Sequence, residues 1–158
     1  MDYQVSIVGG GVSGALLALY LGKAGVSTCL IDKGTPSVKS ESPFTGRTTS
    51  LNLSSIESLK QAGIWDAVKK SSQEFNEIFV WDAEGSSSVR FHADEIEKKD
   101  LGVIAHNKII LEALYEEIRK ISEIFLIEEE SLSDLNQDQK EINIETNSGT
   151  FISSELLI

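Results

Sequence analysis

Cysteine is almost missing from this chain, with one residue, Cys29, in 158. A single thiol cannot close an internal disulfide or build a zinc site from several cysteines, and it favours a reducing compartment. Proline is nearly as scarce, with 2, and the 12 glycines follow no period, so collagen-like and low-complexity readings are excluded. Cations are few: 14 Lys and Arg stand against 25 Asp and Glu, a formal net charge of -11. Nucleic acid is a poor partner for such a surface, because phosphate contacts need clustered Lys and Arg. Long apolar runs are absent too. The longest, Gly14 to Gly22, stops at Lys23, well short of the roughly 20 residues a transmembrane helix needs. The opening Met-Asp-Tyr-Gln has no basic stretch, so no signal peptide is expected and the location is read as cytoplasmic, with peripheral membrane contact left open.

What is present suits a globular domain. Hydrophobic residues make up 41% and charged ones 25%, enough apolar material for a core and too much for general disorder. The charge is unevenly spread, with 7 basic and 5 acidic side chains in residues 1–70, 6 and 11 in 71–120, and 1 and 9 in 121–158. Only the first segment is positive on balance.

That segment also holds the most informative pattern. Tyr3 to Val8 reads as a buried strand, and Gly9-Gly10-Gly11 ends it. Val12 to Ala24 has helical spacing, closed by Gly25, and Ser27 to Ile31 is a second strand ending at Asp32. Strand, helix and strand in about thirty residues make a βαβ unit. Within it, Gly9-x-Gly11-x-x-Gly14 opens the helix. Gly9 turns the chain sharply, Gly11 lets the backbone approach a pyrophosphate, and Gly14 packs the helix against the sheet. The helix N-terminus attracts the diphosphate, and Asp32 can accept hydrogen bonds from ribose hydroxyls while disfavouring a 2′-phosphate. The glycine pattern by itself also fits a plain structural turn, but strand, glycines, helix, strand and acid in this order indicate a dinucleotide site. They do not choose between FAD and NAD.

Further along, Lys33 to Gly46 is a polar loop, and Thr49 to Ala62 resumes helical spacing until Gly63. Phe75–Asp82 and Ser87–Phe91 read as a hairpin around Ala83-Glu84-Gly85. Val103–Ala105 is a short strand before an amphipathic helix, Asn107 to Ile121, and short strands with a turn at Asn147-Ser148-Gly149 complete the chain.

Gly46-Arg47-Thr48-Thr49-Ser50-Leu51-Asn52, running on to Gly63-Ile64-Trp65-Asp66, together with Asn107-Lys108, resembles the ubiquinone-biosynthesis hydroxylases of the para-hydroxybenzoate hydroxylase superfamily of flavin monooxygenases. The likeness extends from Asp2 to Ile158. Ser50 stands where that family usually has Ala, and Lys108 where it usually has Arg, which keeps the charge and loses the bidentate fork. The resemblance implies an α/β, Rossmann-like FAD-binding βαβ fold with a small β-hairpin excursion from a substrate domain. Residues 1–70 and 101–158 would be the FAD-binding domain and 71–100 the first strands of the substrate domain. It implies FAD as cofactor, NAD(P)H and O2 as co-substrates, and hydroxylation of a small aromatic ring. Gly9, Gly11, Ser13 and Gly14 would line the FAD pyrophosphate, Asp32 would hold the adenosine ribose, Arg47 would reach the flavin side, and Asn107 would bond near the diphosphate. Members of the family are more than twice this length, so the chain is expected to be truncated, inactive alone, and open to self-association through an uncovered apolar face. An NAD-dependent Rossmann oxidoreductase and a non-enzymatic nucleotide-binding module remain the alternatives.

Each remaining candidate has a plainer reading. Arg47 also fits a solvated loop, Asn107 a helix N-cap, and Lys108 a surface lysine. His92 and His106 lack a nucleophile or metal-ligand spacing, and no catalytic or metal-binding residue is assigned. Cys29 reads as a small core residue, Trp65 and Trp81 as packing residues, with a substrate-facing Trp81 as the other option. Glu128-Glu129-Glu130 and the Asp94–Asp100 acids read as solvated edges.

Overall fold

The β-branched opening run forms β1 (Asp2–Val8), and the glycines after it lead into α1 (Val12–Lys23) and β2 (Thr28–Ile31). This computed structural model describes residues 2–34, 46–138 and 140–158. All four residues of β2 are buried, as in a central parallel strand covered on both faces. Gly25 follows the C-cap of α1, and its φ of 79° is a conformation that costs glycine little. Its buried residues are mostly small: Ala15, Ala18 and Gly22 accompany Leu19, and a Cβ on Gly22 would press on the Ile124 side chain. A close helix–sheet approach follows from that choice of residues.

The polar loop expected over Lys33–Gly46 lies, from 35 to 45, outside the described residues. After it, the structure corrects one boundary. The helix expected from Thr49 starts at Leu53 instead: Thr48–Asn52 is β3, and α2 spans Leu53–Ala62. Thr48 and Thr49 are β-branched and favour extended backbone. Asn52 then starts the helix by accepting the Ser55 N–H on Oδ1 at 2.8 Å. Gly63, at φ 83°, ends it.

The chain continues through α3 (Trp65–Lys69), β4 (Gln73–Phe75), β5 (Glu77–Trp81), β6 (Ser88–His92), a 3-10 turn (Ala93–Ile96), β7 (Gly102–His106) and α4 (Asn107–Ile118). β8 (Ile124–Ile127), β9 (Leu132–Gln137), β10 (Ile142–Thr146) and β11 (Phe151–Leu157) complete it. The expected hairpin is β5 with β6, but Phe75 belongs to β4, which pairs with β7. α4 stops at Ile118, about one turn before the expected Ile121.

Two units can be described separately: Met1–Pro43 with Leu111–Ile158, and Phe44–Ile110. The first holds a six-stranded sheet in the order β8-β2-β1-β11-β10-β9. β8, β2, β1 and β11 run parallel, with Val5 opposite Thr28 on one side and Leu156 on the other. β10 and β9 then extend the sheet antiparallel. Cys29, Ile31, Ile144 and Ile152 form a buried cluster, with Tyr3, Ile127 and Leu157 packed on it. Each fully buried Ile here contributes roughly 1.5–3 kcal/mol. The second unit holds the three-stranded sheet β3-β7-β4 and the β5–β6 hairpin, and buries Leu51, Leu59, Ala62, Ile64, Val68 and Val103. The α/β class and the βαβ start read from the sequence are both present.

Two measurements check this account. Asn52→Ala removes a helix cap and lowers stability by about 1 kcal/mol in denaturant titration, while Asn52→Ser costs less. Burial pushes the Cys29 thiol from 9.0 up to about 12. A folded-state value above the unfolded one means stability is intact below pH 9 and is lost as pH rises from 9 toward 12. The slope of stability against pH over that window therefore flattens in Cys29→Ala, and an unchanged slope contradicts it.

Candidate functional site

The first unit places the carboxyl ends of β1 and β2 side by side. Gly9 leaves β1 with φ 119°, and its N–H donates to the Ile31 carbonyl at 2.8 Å. The chain then enters α1 through Gly11, which has extended ψ and offers no side chain to cap the helix. The first amides of an α-helix lack intrahelical acceptors, and the first such bond in α1 runs from Ala15 N–H to the Gly11 carbonyl at 2.8 Å. The amides of Val12, Ser13 and Gly14 are thus presented at the positive end of the helix dipole.

The glycines differ in what surrounds them. A Cβ on Gly14 would collide with the Gly9 carbonyl, so that position has no room. A Cβ on Gly11 would meet nothing within 4 Å. Among the described residues nothing crowds Gly11, and the space beside it is one that a side chain would fill. Ser13 is exposed on the same first turn.

Asp32 ends β2 with both carboxylate oxygens engaged. Oδ2 accepts the Gly10 N–H at 2.6 Å and Oδ1 accepts the Gly34 N–H at 2.9 Å. A carboxylate has about four acceptor sites, so hydroxyls of a ligand can still be received. A cleft of about 130 Å³ opens beside it, lined by Val8, Gly9, Ile31, Lys33, Glu130 and Leu132 among others.

Two residues of this cluster were not singled out from the sequence. Gly10 holds a position the glycine pattern leaves free, yet a Cβ there would run into the Tyr115 hydroxyl and crowd Asp32. Tyr115, on α4, is 1% exposed and donates its hydroxyl to the Gly10 carbonyl at 3.0 Å. Burial, then the nearby Asp32 and Glu128 carboxylates, push the phenol up to about 12 despite the opposing Arg119. The Arg119 guanidinium lies 5.6 Å from the ring centroid and pairs with Glu128 at 2.7 Å. No local pattern signals this contact, because 105 residues separate Tyr115 from Gly10.

In the second unit, Arg47 and Asn107 are neighbours. Asn107 N–H donates to the Arg47 carbonyl at 2.9 Å, and the Thr49 hydroxyl donates to Asn107 Oδ1 at 2.5 Å. The β3–β7 pairing, Thr48 opposite His106, creates this proximity. Arg47 is exposed and Asn107 half-buried at the start of α4.

The other candidates have local roles. His92 caps the 3-10 turn by accepting the Asp94 N–H on Nδ1. The Ser148 hydroxyl above all, with the Thr146 hydroxyl and the Ser148 N–H, holds the Glu130 carboxyl below the usual range against the opposing effect of burial. Trp65 is half-buried, whereas Trp81 is 65% exposed and stacks on Phe79 at 5.6 Å, so it packs no core. Among the described residues no helix is long and apolar enough to cross a membrane.

Comparison with known proteins adds the following. The FAD binding domain family matches residues 2–149. The chain is 28% identical over 162 residues to the mitochondrial ubiquinone biosynthesis monooxygenase COQ6 of Dictyostelium discoideum, covering 92% of this chain and 32% of that protein. It is 27% identical over 157 residues to the 3-demethoxyubiquinol 3-hydroxylase of Escherichia coli, covering 98% and 40%. The chain thus spans between about a third and two fifths of the length of these curated relatives. In fold it is similar to PqsL of Pseudomonas aeruginosa, solved with 2-aminobenzoylacetate, with a TM-score of 0.77 at 18% identity over 99% of this chain and 42% of that one. The p-nitrophenol 4-monooxygenase PnpA of Pseudomonas putida gives 0.75 at 18% identity over 99% and 40%.

The glycine geometry yields a differential test with ADP as ligand. Gly11→Ala leaves thermal stability within about 0.5 kcal/mol and abolishes or sharply weakens binding, because its Cβ occupies only the cradle. Gly14→Ala costs about 1–3 kcal/mol of stability before any ligand is added. Equal stability losses in the two variants would contradict the cradle.

Proposed function

The chain belongs to the FAD binding domain family, and from that premise we propose that it is the FAD-binding portion of an NAD(P)H- and O2-dependent monooxygenase that hydroxylates an aromatic ring of the phenol or quinone-precursor class. The substrate class comes from the names of the relatives, a ubiquinone biosynthesis monooxygenase and a ubiquinol hydroxylase. The observation that carries the cofactor part is the open space at Gly11 beside the uncapped start of α1, with Asp32 at the end of the neighbouring strand. These residues fit a dinucleotide diphosphate and an adenosine ribose.

When bound, FAD supplies the redox chemistry at its isoalloxazine ring. The chain's own work is binding and orientation. Amides of Gly11, Val12 and Ser13 receive the diphosphate, with the Ser13 hydroxyl beside them, Gly14 keeps α1 close to β1, and Asp32 receives the ribose. In the second unit, Arg47 would take the flavin side of the cofactor, with Asn107 fixing the Arg47 backbone through the bond between them. Residues 71–100 are the first strands of a substrate domain, a reading supported by the exposed apolar side chains Ile78, Val80, Val89 and Phe91 on a hairpin whose strands pair only with each other among the described residues. The single cysteine, buried and unpaired, suits a reducing compartment such as the cytoplasm.

The alternative of an NAD-dependent oxidoreductase fits less well. Its sheet would continue through a second parallel βαβ half. Here the parallel strands β8-β2-β1-β11 continue into antiparallel β10 and β9.

Titration of the purified chain with FAD and with NAD, followed by flavin fluorescence and calorimetry, tests the proposal. FAD is expected to bind at least tenfold tighter, and tighter NAD binding would overturn it. Arg47→Ala weakens FAD by about tenfold and leaves NAD unchanged, the scale of one lost charge-assisted contact. Asp32→Ala weakens both.

A further inference from the structure

We propose that Tyr115 is a positioning residue of the diphosphate cradle: by holding the Gly10 carbonyl it aims the Gly11 amide at the ligand. This rests on the FAD reading above and adds a residue that the glycine pattern does not contain.

Gly10 is gripped on both sides. Its N–H, in the peptide plane joining Gly9 to Gly10, donates to Asp32 Oδ2 at 2.6 Å. Its carbonyl, in the next plane, accepts the Tyr115 hydroxyl at 3.0 Å. A trans peptide carries C=O and N–H on opposite edges. The edge opposite the Tyr115 hydroxyl is therefore the Gly11 N–H, beside the space where a Gly11 Cβ would meet nothing. Donation into the carbonyl also polarises the plane and strengthens its N–H as a donor. One hydroxyl thus both orients and sharpens the first amide of the cradle.

Packing alone does not account for a tyrosine here. At 1% exposure the ring position suits Phe or Leu, and a buried hydroxyl is costly unless it is bonded. The bond it makes is to the loop. Its placement leaves no room for a side chain on Gly10, so Tyr115 and Gly10 require each other. Arg119 over the ring, paired with Glu128, braces the phenol from the solvent side.

The experiment compares wild type and Tyr115→Phe for FAD affinity by flavin fluorescence, ADP affinity by calorimetry, and thermal melting without ligand. FAD and ADP should both weaken by about tenfold and by the same factor, since the diphosphate is what they share. The ligand-free melting temperature should fall by only a few degrees, and the Gly11 amide should exchange hydrogen faster. Should Tyr115→Phe fail to fold, Arg119→Gln at the half-exposed brace is expected to weaken both ligands about threefold with the melting temperature unchanged. Wild-type affinity for FAD and ADP in Tyr115→Phe, or in Arg119→Gln where that variant stands in, overturns the proposal while leaving the FAD reading intact. A wild-type chain that binds neither ligand overturns both.

Discussion

The bond from Gly10 N–H to Asp32 is the constraint on which the first unit's site depends. It joins the turn after β1 to the end of β2, beside the backbone bond from Gly9 to Ile31. A carboxylate acceptor makes it worth about 1.5–3 kcal/mol, and the same side chain also holds the Gly34 amide. Asp32 is therefore structural before it meets any ligand. The two roles are compatible, since two amides use about half of the carboxylate's acceptor capacity. A side chain already held by two amides would have little rotamer freedom left to lose on receiving the proposed ribose.

The glycines sort by what forbids a side chain. Gly9 needs its positive φ, Gly14 is closed by the Gly9 carbonyl, and Gly10 is closed by Tyr115 and Asp32. Gly11 alone among these has an ordinary φ, -63°, and free space around it. Folding explains three of the four. The fourth has no such cause among the described residues, and it is the position on which the proposed FAD cradle rests.

The βαβ unit was legible because its signals are local: a β-branched run, glycines at fixed spacing, a helical period and a second apolar run ending in an acid. The start of α2 was less so, because Leu51 fits a helical stripe as well as it fits β3, and only pairing with β7 decides. Phe75 likewise reads as part of the hairpin until its pairing with Gly102 is seen. Tyr115 lay beyond reach altogether. On α4 it looks like one more apolar-face residue, and its hydroxyl gains meaning only when the fold brings it to a loop 105 residues away. Gly10 is inconspicuous in the sequence for the same reason, being a position the pattern leaves free and a distant side chain closes.

The charge distribution bears on how such a cradle can work. A chain of net charge -11 is a poor long-range attractor for a diphosphate, and the cleft beside the glycine loop carries Asp32 and Glu130 against Lys33. Repulsion between exposed charges fades over a Debye length, about 8 Å at physiological salt. Recognition by backbone amides and a helix terminus acts within hydrogen-bond distance, where the donors are fixed and need no counterion of their own. A site built on Gly11, Val12 and Ser13 can therefore hold an anion without a cluster of lysines, provided the amides are aimed correctly at the outset. Aim is what the Asp32–Gly10–Tyr115 arrangement supplies, and the acidity of the chain makes that aim more consequential.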